Sequence, residues 1–379
     1  MKKESKAYRE IVRNNTYKMI VNFTVRLWEF PILGRFFVKA SKHIPNTIAT
    51  SAFNRIGMQS VHPEYLGNPE HGHFALFTQS GIIRRTILSM LMSEKMGLST
   101  CVSFDSHREF DWSQLREVAK DENTRVIALY IESIRRGRFM MEIAKKVTQT
   151  KPIVVLKAGN SEAGSRAVIS HTGSLAGSDE ICRAAFKQSG MLHAKSLEEL
   201  LDYSKAFCYY QRTRGSRIGI VSNGGGLGII CADACLQRGL EVPRLSDEYQ
   251  HKLNENLSFS SGVSNPIDLT ALTTASGYRT TLDFLLRTET VDIVILVVTP
   301  TPMLHIEELA SSIKGFASQG HLPIIVCISG STKYEYDVHR LTHGRLPIHS
   351  QPERAAAAAF SLVCYSKILD RVKQKTASA

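Results

Sequence analysis

From His73 onward the chain alternates short apolar runs with runs of helical spacing, and it completes that alternation twice. In the first round Phe74–Phe77, Cys101–Phe104, Arg125–Ile131 and Pro152–Leu156 have strand length and strand composition. Helical spacing fills about 82–96, 112–120 and 136–148 between them, and helices near 179–189 and 196–210 flank a short His193-Ala194 step. A polar, basic stretch, Gln211–Ser216, precedes the second round. That round opens with Arg217–Val221 and continues through Val291–Val298 and Leu322–Ile328, with helices to about 238 and at about 278–287, 304–318 and 352–370. Strands joined by helical crossovers pair in parallel and are covered on both faces. The expectation is an α/β protein of two consecutive parallel-sheet domains, 71–213 and 214–379, after a basic helical segment over 1–70.

Each round places a Gly- and Ser-rich junction directly after its first strand: Thr78-Gln79-Ser80-Gly81 and Ser222-Asn223-Gly224-Gly225-Gly226. The first N–H groups of a helix are unpaired and its dipole is positive there, so such a junction receives anions, with Ser adding a hydroxyl donor. Gly is also used in βα turns for steric reasons alone. Two matched junctions point to one phosphate held from both sides by Ser80 and Gly81 and by Asn223–Gly226. The third element is a small-residue stretch over 158–178, expected as a long loop, with one imidazole in Ser170-His171-Thr172-Gly173. Imidazole is a nucleophile at neutral pH and can carry a phosphoryl group, provided a carboxylate orients its other nitrogen. Glu132, at the end of the strand 125–131, is the best-placed carboxylate, because the strand ends of a parallel sheet and their loops lie together. A hydrogen-bonding role for a single loop histidine fits the spacing as well.

Charge enters the argument through its distribution. The net +12 is concentrated: residues 1–44 hold ten Lys and Arg against three Glu, which is +7 of the total. That segment reads either as a helical cap on the body or as a docking element for a membrane surface or a partner. No nucleic-acid signature accompanies it, and nucleic acid is not expected as a ligand. No run approaches membrane-spanning length, the N-terminus lacks a signal-type apolar core, and seven unpatterned cysteines fit a reducing compartment, with cytoplasm as the expected location. His62, His71 and His73 lie near Glu64 and Glu70 without helical ligand spacing, so no metal site is expected. Lys157 could reach a phosphate or sit in solvent, Arg166 could neutralise phosphate or sit on the surface, and Asp268 reads as a turn cap.

The string from Lys151 through Ser170-His171-Thr172-Gly173 to Asp179 resembles the nucleoside-diphosphate-forming acyl-CoA synthetases, relatives of succinyl-CoA synthetase and of ADP-forming acetate–CoA ligase. The likeness extends over Phe77–Gly81, Tyr130–Arg138, Arg217–Ile229, Ser264–Thr270 and Val291–Pro300, and covers about 73–367. It implies two flavodoxin-like domains, a phosphorylated histidine at His171, an orienting carboxylate at Glu132, and phosphate binding by Ser80, Gly81, Gly224, Gly225 and Gly226, with Ser170, Thr172 and Gly173 around the histidine. No counterpart of the family's CoA-binding Rossmann domain or ATP-grasp domain is expected here, and Ile82-Ile83-Arg84-Arg85 and Phe104–Arg108 depart from its pattern. The resemblance therefore implies an alpha-type subunit of an acid–thiol ligase, in a hetero-oligomer or a homodimer. A separate ATP-grasp subunit would supply ATP or ADP and Mg, a carboxylic acid or its acyl phosphate would be the substrate, and CoA would be the acceptor. A ligase with an amine or other non-CoA acceptor, and a non-catalytic scaffold that keeps the fold, stand beside it.

Overall fold

The computed structural model describes residues 71–104, 110–172, 177–257, 262–320 and 322–377. The basic segment expected over 1–70 with its docking role, the departure after Phe104 and Gly173 of the histidine string lie outside the described residues. The first half runs β1 (His71–Thr78), α1 (Gly81–Ser93), β2 (Leu98–Ser103), α2 (Gln114–Lys120), β3 (Val126–Ile131), α3 (Gly137–Val147), β4 (Ile153–Lys157), α4 (Glu162–Thr172), α5 (Asp179–Ser189), β5 (Leu192–Ala194) and α6 (Leu197–Tyr209). The second runs β6 (Ile218–Ser222), α7 (Gly225–Gln237), α8 (Asp247–Glu255), β7 (Ile267–Asp268), α9 (Ala275–Thr288), β8 (Ile293–Val298), α10 (Ile306–Gln319), β9 (Ile324–Ile328), α11 (Thr332–Leu341), β10 (Ile348–His349) and α12 (Pro352–Ala377).

All pairings between these strands are parallel, in the orders β2-β1-β3-β4-β5 and β10-β9-β8-β6-β7. Numbered within its own half, each sheet has the order 2-1-3-4-5 of a flavodoxin-like fold. Each has a switch point between its first and third strands, where ligands sit beyond the carboxyl ends. β4, β6, β8 and β9 are buried at every position, which is why they read as continuous apolar runs rather than alternating ones. Five elements had not been expected: α4, α8, β7, α11 and β10. α8 and α11 bury one residue each, Leu253 and Val338, so they carry no apolar stripe; their signal was the cap, Ser246 and Ser331 accepting from the third residue on.

The two halves share a core. α12 packs on both α6 and α7, and its Ala355–Ala359 run is buried. Small side chains let the three helices approach closely enough to join apolar residues of both sheets, from Phe74 and Ala128 to Ile220 and Ile295, in one cluster. Among the described residues no helix is long and apolar enough to cross a membrane.

A buried ionic network ties the same helices together. Arg354 of α12 donates to Asp202 of α6 (2.7 and 2.9 Å) and to Glu94 at the end of α1 (2.8 Å). Lys205 bonds Glu94 and donates to the Ile348 carbonyl at 2.6 Å, and His349 Nδ1 lies 3.2 Å from Asp202. Burial opposes ionisation of Asp202 and Glu94, but the bonds and charges of His349, Arg354 and Lys205 outweigh it and hold both carboxyls below their usual range. His349 is the reverse case: burial lowers its pKa, and the Asp202 contact offsets this only in part. It is therefore neutral at pH 7, where the pull on Asp202 comes from Arg354 and from the imidazole hydrogen bond. The unfolded chain takes up this proton first. Stability should thus fall as pH drops below about 6.5, with the carboxylates adding their loss below about pH 4. His193, also lowered by burial, contributes to the upper leg. Urea midpoints between neutral and mildly acidic pH should show that leg shrink in His349→Gln. An unchanged leg would assign it elsewhere.

Candidate functional site

Glu132 is the first residue beyond β3, and its side chain is only 7% exposed. Its backbone is clamped by Gln79, whose Oε1 accepts from the N–H groups of Glu132 and Ser133 while its Nε2 donates to the Ser133 carbonyl at 3.1 Å. The Tyr130 hydroxyl donates to Glu132 Oε1 at 3.4 Å, while burial and the adjacent carboxylate push that phenol up to about 12. Glu132 Oε2 is buried and makes no hydrogen bond among the described residues. Facing it at 3.6 Å is Nδ1 of His171, whose side chain is 69% exposed. A buried carboxylate oxygen without a donor is costly. A small closure by a protonated Nδ1 would relieve that cost and leave Nε2 as the free nucleophilic nitrogen.

His171 reaches this position by a route that differs from the expected loop. Residues 162–172 form α4, an extra helix inserted between the carboxyl end of β4 and α5, and His171 sits in its last turn. The run of small residues concealed the start: Ser161 Oγ accepts from Gly164 N at 3.1 Å, and Ser165 Oγ donates to the Gly159 carbonyl at 2.9 Å. Ser170 is exposed on the same turn, and Thr172 closes the helix.

The two expected anion junctions differ from one another. Ser80 caps α1, its Oγ accepting from Ile83 N at 3.3 Å, which leaves its O–H free to donate outward. It follows directly on Gln79, so the start of α1 is positioned by the residue that clamps Glu132. A Cβ on Gly81 or on Gly226 would meet nothing within 4 Å, so packing does not explain glycine there, and the open approach suits an anion. Gly225 is different, because a Cβ would stand 2.9 Å from Asp268 Oδ2. Asn223, expected among the phosphate donors, is instead 2% exposed and committed to structure: its amide donates to the Thr299 carbonyl at 2.8 Å and accepts from Thr299 N at 2.7 Å. Among the described residues no hydrogen bond or ion pair joins Gly224–Gly226 to His171.

Of the weaker candidates, Lys157 is not in solvent. It is 2% exposed, bonded to the Ala158 carbonyl, and burial lowers its pKa against the opposing pull of Cys182, Asp179 and Glu132. Arg166 pairs with Glu162 at 2.6 Å on the exposed face of α4. Asp268 does cap a turn, accepting from Thr270 N at 2.9 Å. The Gln79 clamp and Tyr130 had not been singled out, although both sit inside strings flanking the site. Together the strand ends provide an exposed imidazole, a fixed buried carboxylate and two open helix starts, which suits covalent transfer of a phosphoryl group.

Residues 71–207 match the succinyl-CoA ligase like flavodoxin domain, and residues 218–361 match the ligase-CoA domain. The alpha subunit of ADP-forming acetate–CoA ligase II of Pyrococcus furiosus is 36% identical over 325 residues, covering 83% of this chain and 70% of that protein. The alpha subunit of ligase I of the same organism is 37% identical over 308 residues, covering 80% and 66%. Among solved structures, the dinucleotide-forming acetyl-coenzyme A synthetase 1 of Ca. Korarchaeum cryptofilum, in complex with phosphate and ADP, matches with a TM-score of 0.73 at 31% identity. The match covers 81% of this chain and 67% of that one, so this chain spans about two thirds of the length of these relatives.

Proposed function

The chain belongs to the family of ADP-forming acetate–CoA ligases, and from that premise we propose that it is the alpha-type subunit of an NDP-forming acid–thiol ligase. In this reading His171 relays a phosphoryl group between an acyl phosphate and a nucleotide bound on a separate ATP-grasp subunit. The observation that carries it is the approach of His171 Nδ1 to the orphaned, buried Glu132 Oε2 at 3.6 Å. That contact sets the tautomer, so Nε2 attacks phosphorus along the exposed side of the ring, and the P–O bond to the donor breaks, releasing the nucleoside diphosphate or, in the reverse direction, the carboxylic acid. The carboxylate then steadies the imidazolium that forms. The open helix starts at Gly81 and Gly226, with the Ser80 hydroxyl, supply donors and positive potential for the phosphoryl oxygens. Nucleotide and Mg belong to the partner, and CoA is the acyl acceptor.

The rim of the site fits a macromolecular partner. Ile82, Ile181, Leu272 and Met303 are 74%, 71%, 56% and 50% exposed, and each follows the carboxyl end of a strand or opens the helix beyond it. Large apolar side chains around a charged site are suited to being covered by another chain. Residues 1–44 would add a basic docking element for that partner or for an anionic surface. All seven cysteines are free thiols, as suits work in a reducing cytoplasm.

With an ATP-grasp partner and ATP labelled in its terminal phosphate, the wild-type chain should acquire acid-labile label. His171→Asn should acquire none while keeping its unfolding temperature. Full labelling of the variant, or none of the wild type, would remove the relay.

A further inference from the structure

The amino-terminal strand ends, at the opposite edge from His171, frame a separate cavity of about 740 Å³. Its walls come from both halves of the protein: the starts of β1 and β3 and the turn before β2 on one side, the ends of α10 and α11 on the other. Lys95, Arg125, Arg340 and Arg345 line it, with four imidazoles besides, among them His71 and His343. No Asp or Glu is among its described lining residues. Local contacts hold these cations in place and neutralise little of their charge. Among the described residues, Arg125 donates to the Cys208 carbonyl at 2.9 Å, Lys95 lies over the Tyr336 ring at 5.3 Å, and the nearest ionic partner of Arg340 is Asp337 at 3.9 Å.

Four permanent positive charges converging from two halves of a chain repel one another. A concave low-dielectric wall focuses their field into the opening. We propose that this cleft is a binding site for a compact polyanion, a small molecule carrying two or more phosphates. The volume lies within the roughly 300–1,000 Å³ range of small-ligand sites, and guanidinium groups present paired donors that match phosphate oxygens. Charge argues against residues 1–44 as the occupant, because they carry +7. A concave pocket also suits a small molecule better than a nucleic-acid strand. The site is independent of the reaction assigned to His171, since eight-residue β1 places the two edges roughly 25 Å apart.

Hydrogen exchange on the full chain, with and without inorganic triphosphate, tests this directly. Triphosphate should protect residues 71–73, 95–97 and 339–345. In Lys95→Asn/Arg345→Gln, where Asn suits the positive φ of 55° at position 95, that protection should vanish. Affinity measured by calorimetry should fall about tenfold or more and weaken with added salt. The variant should still label at His171 to the wild-type extent. Absence of protection in these segments of the wild type, or protection that persists unchanged in the variant, would overturn the proposal. So would protection by a single-stranded oligonucleotide but not by triphosphate.

Discussion

Glu132→Gln should slow phosphorylation of His171 by on the order of a hundredfold to ten-thousandfold while leaving the protein at least as stable as the wild type. Both halves follow from the geometry. The carboxylate is buried, held by Gln79 through its backbone rather than its side chain, and Oε2 has no hydrogen-bond donor among the described residues. An amide of the same shape removes a buried charge at no structural cost, so the fold persists. It also removes the charge that stabilises the imidazolium and lets the side chain present nitrogen to Nδ1, which disfavours the productive tautomer. Rapid-quench labelling with the partner subunit measures the first effect and thermal unfolding the second. A rate within threefold of wild type would reduce Glu132 to a packing residue.

Arg354→Met carries the largest expected effect on stability, about 3–5 kcal/mol, because it strands the Asp202 carboxylate in the core and takes one of two cations from Glu94. Arg354 holds Asp202 and Glu94 simultaneously and is itself 11% exposed, while Asp202 is 2% exposed. Removing the guanidinium leaves Asp202 with a neutral His349 and leaves Glu94 with Lys205 alone. The loss is a large share of the roughly 5–15 kcal/mol typical of a folded domain. Adding Asp202→Asn should recover about 1 kcal/mol or more, since the two residues are in direct contact and cannot contribute independently. Urea unfolding of the single and double variants checks both. A single-variant loss below about 1 kcal/mol would mean that the network is solvated in solution.

Much of the fold was legible because it rests on local pattern. Continuous apolar runs marked the buried parallel strands, and the Gly and Ser junctions marked the ends of β1 and β6 correctly. The approach of His171 to Glu132 followed from topology, because parallel strand ends gather on one edge, and the motif resemblance then assigned the chemistry. Illegible features depend on partners far along the chain. Glu94 meets Lys205 and Arg354 across 111 and 260 positions, which no window of sequence contains. Lys157, at a strand end, fitted a phosphate contact and a solvent position alike, and nothing in the local sequence signalled its burial. Asn223 looked like a ligand residue because it sits in a Gly-rich turn. Its bonds to Thr299 show that such turns also need a side chain to fasten them to the neighbouring strand. α4 itself was concealed by composition, since glycine, serine and alanine satisfy a loop and a capped helix alike, and the Ser161 cap was the only local cue.

The nitrogen that carries phosphate on His171 tests the central claim most directly. If Glu132 holds Nδ1, the phosphoryl group must lie on Nε2. Nitrogen-15 and phosphorus-31 magnetic resonance of the labelled chain, prepared with its ATP-grasp partner, should therefore show phosphorus bonded to Nε2 of His171 alone. Phosphate on Nδ1, or on any other residue, would contradict it.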